Sequence, residues 1–323
     1  MGKNLKIGVV FGGPSSEHEI SIMTGRHVLQ TLLENGYDAH QIYITTTGNW
    51  LLNNSSRAYD PAELCVQHDL MFNAMHGEFG EDGQLQQIFE HCNVPYTGST
   101  VVASALAMNK VISREIFKNV GLVVPRAAAF SYDTFDIRSA IPEVMMVSAP
   151  PWLVKPASRG SSIGISLVQT YDKLLGAFEY AFSFDHNVLV EEYINGREVT
   201  CGVLDNFEGE KHYALHPLEI IPPPGRFFDS EVRYTGLAKQ IPVSFFGEML
   251  RKIKDTARTS HTALGCRQYS RTDMIVKGTK VYVLETNTLP GLTKESLLPR
   301  AAEISRVEFP KLLDHIIDQA IIS

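Results

Sequence analysis

Tyr269-Ser270-Arg271-Thr272-Asp273-Met274-Ile275-Val276-Lys277-Gly278-Thr279-Lys280-Val281-Tyr282-Val283-Leu284-Glu285-Thr286-Asn287 reads as two strands around a tight turn. Lys277-Gly278-Thr279-Lys280 supplies the tip, and Met274, Val276, Val283 and Leu284 are the apolar members of a half-buried hairpin. A turn centred on Thr279 pairs Asp273 with Glu285 and Arg271 with Asn287. Residues two apart on a strand share a face, so these four form one polar patch on two adjacent strands. Two carboxylates and an amide oxygen on a rigid support suit Mg²⁺, which prefers oxygen ligands and substrate phosphates. Without a cation, carboxylates so close repel. The same pattern also fits a solvated hairpin face with cross-strand ion pairs.

Upstream, Lys155-Pro156-Ala157-Ser158-Arg159-Gly160-Ser161-Ser162-Ile163-Gly164 follows a short apolar strand, Trp152–Pro156. Its Gly/Ser loop offers unencumbered N–H groups and hydroxyls of the kind that cradle phosphate. It lacks the Gly-Lys-Ser/Thr of a Walker loop, and taken by itself it is better explained as a plain hairpin turn. Val188–Ile194 is an apolar strand carrying Glu191 and Glu192, followed by Asn195-Gly196-Arg197-Glu198. Its backbone edge could read an adenine and Glu198 could accept ribose hydroxyls; exposed acids at a strand end are the alternative. After the hairpin, Thr288–Leu297 opens a helix whose free N–H groups attract an oxyanion, or which is simply capped by Thr293.

The first hundred residues read as β-α-β. The apolar run Leu5–Phe11 breaks at Gly12-Gly13-Pro14, a helix spans about Glu17 to Asn35, and strands follow at Gln41–Ile44 and Leu70–Met75. Ser16 and Glu19 have capping-box spacing. Ile20, Met23, Val28, Leu32 and Leu33 form the helix's apolar stripe. The alternation implies a parallel sheet, with ligands beyond the carboxyl ends of its strands. Those ends are Gly12–His18 and His76–Gly83. Helices are expected at 84–92, 101–108, 111–120 and 246–264. Further strands are expected at 123–130, 164–168, 198–204 and 212–220. The fold class is thus α/β with α+β, in three domains: a Rossmann-like unit at 1–98, a central α+β unit at 99–190 and a C-terminal unit at 191–323. The Pro/Gly-rich stretch 221–242, about 20 residues of weak periodicity, has the length of a lid.

Of 323 residues, 44% are hydrophobic and 20% charged, which excludes a mostly disordered chain. A net charge of −7 weighs against nucleic-acid or anionic-membrane binding. No apolar run approaches the ~18–20 residues of a membrane span, and Ile7–Phe11 is short for a signal peptide. Cys65, Cys92, Cys201 and Cys266 are dispersed, as expected of a reduced cytoplasmic protein.

Taken in order, these segments resemble the D-alanine–D-alanine ligase family of the ATP-grasp superfamily. The landmarks are Gly12–Ser21, His76–Gly83, Pro95–Ser99, Ser104–Lys110, Lys155–Gly164, Glu191–Glu198, Tyr234, Ser270–Asp273 and Glu285–Gly291, which together cover nearly the whole chain. The resemblance implies an ATP-grasp fold holding ATP between the second and third domains, and ligation of two D-alanines through an acyl phosphate for peptidoglycan synthesis. It implies that Lys110 and Lys155 contact ATP phosphates, with Ser161 and Ser162 on the glycine-rich loop and Arg233 beside the nucleotide. Glu191, Glu192 and Ile194 would line the adenine site, and Glu198 would hold the ribose. Asp273, Glu285 and Asn287 would bind two Mg²⁺ ions, or Mn²⁺. Glu17, with Ser161 and Tyr234, would hold the first D-alanine's ammonium, and His76 would lie near its carboxylate. Arg271 and the Gly291 N–H would face the oxyanion, and Ser296 and Leu297 the second D-alanine's carboxylate. A homodimer is expected on the same ground.

Some positions depart from the family pattern. Arg233 stands where lysine is common, Ser230 where an aromatic is, Asn109 where aspartate is, and Gln87 where a small residue is. Tyr234 favours an amine acceptor. D-serine or D-lactate as second substrate, or a nucleotide-binding homologue without turnover, are the alternatives.

Overall fold

The computed structural model describes residues 4–160, 163–223 and 238–322. The first elements are β1 (Lys6–Gly12), α1 (His18–Glu34), β2 (Asp38–Ile44), β3 (Trp50–Leu52), β4 (Ala58–Tyr59), α2 (Pro61–Gln67), β5 (Leu70–Asn73) and α3 (Gln84–His91). They build a five-stranded sheet ordered β4-β3-β2-β1-β5. β1 pairs in parallel with β2 and β5, whereas β3 and β4 add an antiparallel edge, so the expected parallel sheet is mixed.

Helix α1 forms where its sequence predicts, and Val28 and Leu32 of the expected stripe are buried, but the buried face is shifted from the rest of that stripe. Met23 and Leu33 are exposed, and the buried stripe is Ser21, Thr24, Gly25, Val28, Thr31 and Leu32. Small residues let the helix approach Phe11 closely, against which a Cβ on Gly25 would collide. The capping box does not form: Glu17 is the N-cap and receives no side-chain cap bond. Ser16 Oγ instead donates to Glu78 Oε2 at 3.2 Å.

The middle elements are α4 (Val101–Met108), α5 (Lys110–Asn119), β6 (Ala127–Ser131), α6 (Ile137–Val147), β7 (Trp152–Pro156), β8 (Ser166–Val168), α7 (Leu174–Phe182) and β9 (Asn187–Glu192). Their four strands are antiparallel, ordered β6-β9-β7-β8, over a core of Val144, Trp152, Phe178 and Val190. The strand expected at 123–130 begins only at Ala127. Pro125 has no N–H to donate, and Val123 makes a separate bridge to Tyr282.

The last elements are β10 (Arg197–Phe207), β11 (Glu210–Ala214), β12 (Leu218–Ile221), β13 (Lys239–Pro242), α8 (Gly247–Ala263), β14 (Tyr269–Lys277), β15 (Lys280–Asn287), α9 (Leu297–Ile304) and α10 (Phe309–Ile322). The sheet order is β13-β12-β10-β14-β15, with β11 also on β10. The single strand expected at 212–220 is two strands, interrupted before Pro217. The stretch 221–242 is not all loop, because β13 returns onto β12 with Ile221 opposite Lys239. One apolar cluster joins this sheet to the first, running from Ile7, Phe11 and Phe72 through Leu298, Leu312 and Ile316 to Leu204 and Leu218. Helices α9 and α10 therefore lie between the first and last sheets.

Candidate active site

The β14–β15 ladder pairs Arg271 with Asn287 and Asp273 with Glu285. The turn that produces this is not the one expected. Lys277 pairs with Lys280 around Gly278-Thr279, and a register shift between Asp273 and Met274 leaves Leu284 without a partner. This bulge restores the two carboxylates to one face.

Hydrogen bonds hold the patch. Arg271 Nε and Nη2 donate to the two oxygens of Asp273 at 2.9 and 2.8 Å. Thr200 Oγ1, from β10, donates to Asp273 Oδ1 at 2.6 Å, and Asn287 Nδ2 to Oδ2 at 3.3 Å. Lys110 Nζ lies 3.2 Å from Glu285 Oε2 and donates to the Arg159 carbonyl at 2.7 Å. Lys110 thus ties the acidic hairpin to the glycine-bearing loop. Both acids draw cationic partners, which is the demand that hard cations meet when carboxylate oxygens converge. The donor set Asp273, Glu285 and Asn287 fits Mg²⁺.

Between the second and third sheets lies a cleft of about 750 Å³, part of it open to solvent. Its walls include Lys110, Lys155, Glu191, Glu198, Asp273 and Glu285. Lys155 is nearly buried, its Nζ 2.6 Å from Glu191 Oε2, and Arg114 Nη1 donates to the other Glu191 oxygen at 2.7 Å. Arg114 Nη2 also donates to the Pro125 carbonyl at 2.6 Å. Arg114 has no place in the sequence-based site, yet its guanidinium is buried against the Glu191 carboxylate that lines the cleft. The signal was present: Lys110, Ser113, Arg114 and Phe117 are the buried face of α5, at positions i, i+3, i+4 and i+7.

Alternation along β9 separates the two neighbouring acids. Glu191 faces the cleft, while the Glu192 carboxylate accepts from the Arg126 backbone N–H and guanidinium, outside the cleft wall. Burial alone would raise the Glu192 carboxyl, but Arg126 holds it below its ordinary range. Any contribution of Glu192 to the cleft is therefore through its backbone. Tyr193 lines the cleft, whereas Ile194 is buried and absent from that wall.

A smaller groove continues from Lys110 and Glu285 past Gly160, Asn287 and Thr288 to Glu81. Glu17 reaches this end: a Cβ on Gly77 would stand 2.9 Å, and one on Gly160 3.0 Å, from Glu17 Oε2. His76 Nε2 is 2.8 Å from Thr24 Oγ1, and its Nδ1 is 3.4 Å from Glu81 Oε1. Burial raises the Glu81 carboxyl above its usual range, with Glu17's charge adding, against the opposing pull of His76. A Cβ on Gly291 would stand 2.7 Å from Ser296 Oγ and 4.0 Å from His76 Cε1. His76, Gly291 and Ser296 therefore meet, although 220 residues of chain separate the first from the last. Ser296 is the N-cap of α9 and Leu297 its first residue, so the helix starts three residues after the expected Thr293. Thr293 N–H donates to Ser296 Oγ at 3.1 Å.

A clasp joins the first loop to the glycine-bearing one. Arg159 Nη1 pairs with Glu78 Oε1, while Ser15 and Ser16 donate to Glu78 Oε2. Ser161, Ser162, Arg233 and Tyr234 lie outside the described residues, as does Ser230. Asn109 caps α5, its Oδ1 accepting from the N–H groups of Val111 and Ile112.

The chain matches two family profiles, "D-ala D-ala ligase N-terminus" over residues 6–63 and 54–99, and "D-ala D-ala ligase C-terminus" over 116–318. It is 38% identical to a D-alanine–D-alanine ligase of Geotalea uraniireducens, covering 98% of this chain and 96% of that one. The fold superposes on the D-alanine–D-alanine ligase of Bacillus anthracis complexed with ATP, with a TM-score of 0.82 and 31% identity, covering 98% of each chain. It also superposes on the VanG D-Ala:D-Ser ligase of Enterococcus faecalis, with a TM-score of 0.85 and 31% identity over 98% of this chain and 99% of that one. By sequence over its whole length and by fold, the chain belongs to the D-alanine–D-alanine ligase family.

Proposed function

We propose that the protein joins two D-alanines into D-alanyl-D-alanine, driven by ATP, for peptidoglycan synthesis. What supports this is one convergence: the buried lysines and the paired hairpin acids line one cleft, which shares Lys110 and Glu285 with a smaller groove whose Gly160 and Glu81 lie beside Glu17 and His76. The long cleft takes the nucleotide, with Glu198 toward the ribose and the β9 backbone toward the adenine. Lys110 and Lys155 attract the triphosphate, together with Ser161, Ser162 and Arg233. Mg²⁺ ions held by Asp273, Glu285 and Asn287, two in number or replaced by Mn²⁺, would neutralise the β- and γ-phosphate charge.

A carboxylate oxygen of the first D-alanine attacks the γ-phosphorus, an O–P bond forms, and ADP leaves. Glu17, with Ser161 and Tyr234, holds the substrate ammonium, and His76 faces its carboxylate. Arg271 remains protonated at neutral pH, so with the Gly291 N–H it stabilises negative charge rather than moving protons. The second D-alanine's amine then attacks the acyl carbon, and phosphate leaves as the C–O bond breaks. The N-terminus of α9, at Ser296 and Leu297, suits the second carboxylate. The acyl phosphate must be kept from water, the role we give to the segment carrying Tyr234.

Dependence on ATP supports a cytoplasmic location, and among the described residues no helix is long and apolar enough to cross a membrane. A homodimer is our proposal for the working state, tested by sedimentation. The activity is tested by ADP release with D-alanine alone and with D-serine or D-lactate added. Product analysis should return D-alanyl-D-alanine as the main product; D-alanine-independent ADP release would overturn the assignment.

A further inference from the structure

Asp205 on β10, His212 on β11 and His261 on α8 bring their ligand atoms within 4.8 Å of one another, and none of the three lines the nucleotide cleft. Asp205 and His261 are buried and His212 is partly exposed. The arrangement around them selects which atoms face inward. Asp205 Oδ2 accepts the Gln268 N–H at 2.7 Å, leaving Oδ1 for the histidines. His261 Nδ1 is engaged by Ser270 Oγ at 2.8 Å, which directs Nε2 toward Asp205. His212 Nδ1 lies 2.7 Å from Asp205 Oδ1.

His261 Nε2 is the informative atom. It is fully buried and 3.0 Å from Asp205 Oδ1, an ion-pair contact that lies off the line of a well-formed hydrogen bond. With His212 on the same carboxylate oxygen, three potential ligand atoms converge as they would around one cation. We propose that Asp205, His212 and His261 bind a divalent first-row transition-metal ion of the Zn²⁺ class. Two imidazoles and a carboxylate are a common three-ligand set for such ions, with a fourth position left to water on the exposed side of His212. Ligand atoms about 2.0–2.2 Å from a tetrahedral ion lie roughly 3.3 Å apart. The His212–Asp205 contact must therefore widen slightly, which an edge hairpin allows. The Ser270 hydroxyl and the Gln268 N–H are the outer partners that orient such ligands.

The ion would pin α8 to the β10–β11 hairpin. Its effect would extend further, because Gln268 also bonds the Gly98 N–H at 2.7 Å and the Tyr96 carbonyl at 3.1 Å on the first unit. It would thus strengthen the seam between the first and last sheets rather than take part in ligation.

The test uses untagged full-length protein, stripped with a chelator and titrated with Co²⁺ in excess Mg²⁺. We expect a visible ligand-field band that saturates at one Co²⁺ per chain and is removed by Zn²⁺, with a higher Tm in the loaded protein. His212→Gln should abolish the band, Ser270→Ala should weaken binding about tenfold, and Glu285→Ala should leave it unchanged. Absence of a saturable band in the unmodified protein would overturn the proposal, as would an equally strong band in folded His212→Gln. The unmodified protein alone decides the matter if the variants do not fold.

Discussion

Asp273 faces Glu285 across the β14–β15 ladder because Leu284 is bulged out of it. Continued evenly from the Lys277–Lys280 tip, the ladder would set Asp273 against Leu284 and turn Glu285 to the opposite face. The bulge therefore sets the pairing. Deleting Leu284 should leave Glu285 opposite Asp273 in an even ladder and keep kcat within about tenfold, whereas Glu285→Ala should lower kcat by roughly 10²–10³-fold and raise the Mg²⁺ concentration needed for half-maximal rate. Steady-state kinetics at several Mg²⁺ concentrations checks this, and an unchanged kcat in Glu285→Ala, or a deletion variant as impaired as Glu285→Ala, would contradict it.

Arg114 and Lys155 share the buried Glu191 carboxylate. Removing Arg114 leaves the Glu191 carboxylate to Lys155 and takes a donor from the Pro125 carbonyl, at a cost of no more than the about 3–5 kcal/mol of breaking a buried pair. Arg114→Leu should lower the urea midpoint accordingly and raise KM for ATP through Lys155, which would follow Glu191 more closely. Equal denaturation curves and equal KM would refute this.

The hairpin was legible because period-two alternation and its Gly-containing tip survive in the residues themselves. The bulge was not, since nothing local marks Leu284 as the unpaired residue; the expected pairing came from a turn centred on Thr279, which shifts the register at the tip by one residue. Arg114 was overlooked for a related reason. A basic side chain on a helix is normally solvated, and only its i+4 relation to Lys110 within a buried stripe indicates otherwise. Ser16 looked like a cap, but a glutamate 62 residues away took its hydroxyl. The meeting of His76 with Gly291 and Ser296 depends on α9 and α10 lying against the first sheet, a long-range arrangement that no local pattern encodes.

Asn109 makes the cap that sets Lys110 at the start of α5. Asn109→Ala should cost about 1 kcal/mol, and Asn109→Asp should be neutral or stabilising through the helix dipole. Thermal unfolding of both variants measures this. A destabilising Asp substitution would count against the capping role.

Glu78 joins Ser15 and Ser16 to Arg159. Burial alone would raise its carboxyl, but the Arg159 pairing and backbone bonds hold it below the ordinary glutamate range. A carboxyl lowered in the folded state stabilises above its unfolded pKa, and that contribution is lost as pH falls through the folded value. Acid should therefore weaken the clasp below the ordinary glutamate range, and Glu78→Gln should flatten that part of the stability profile. Urea melts of both proteins across acidic pH decide it; parallel profiles would exclude the clasp as their source.

The most direct measurement of the proposed chemistry follows oxygen. D-alanine labelled with ¹⁸O in its carboxylate is incubated with the protein and Mg-ATP, and the released phosphate is analysed by mass. Attack by the carboxylate on ATP predicts one labelled oxygen in each phosphate formed with dipeptide. Dipeptide accompanied by unlabelled phosphate would contradict an acyl phosphate, and with it the role assigned to the groove between the hairpin acids and the buried lysines.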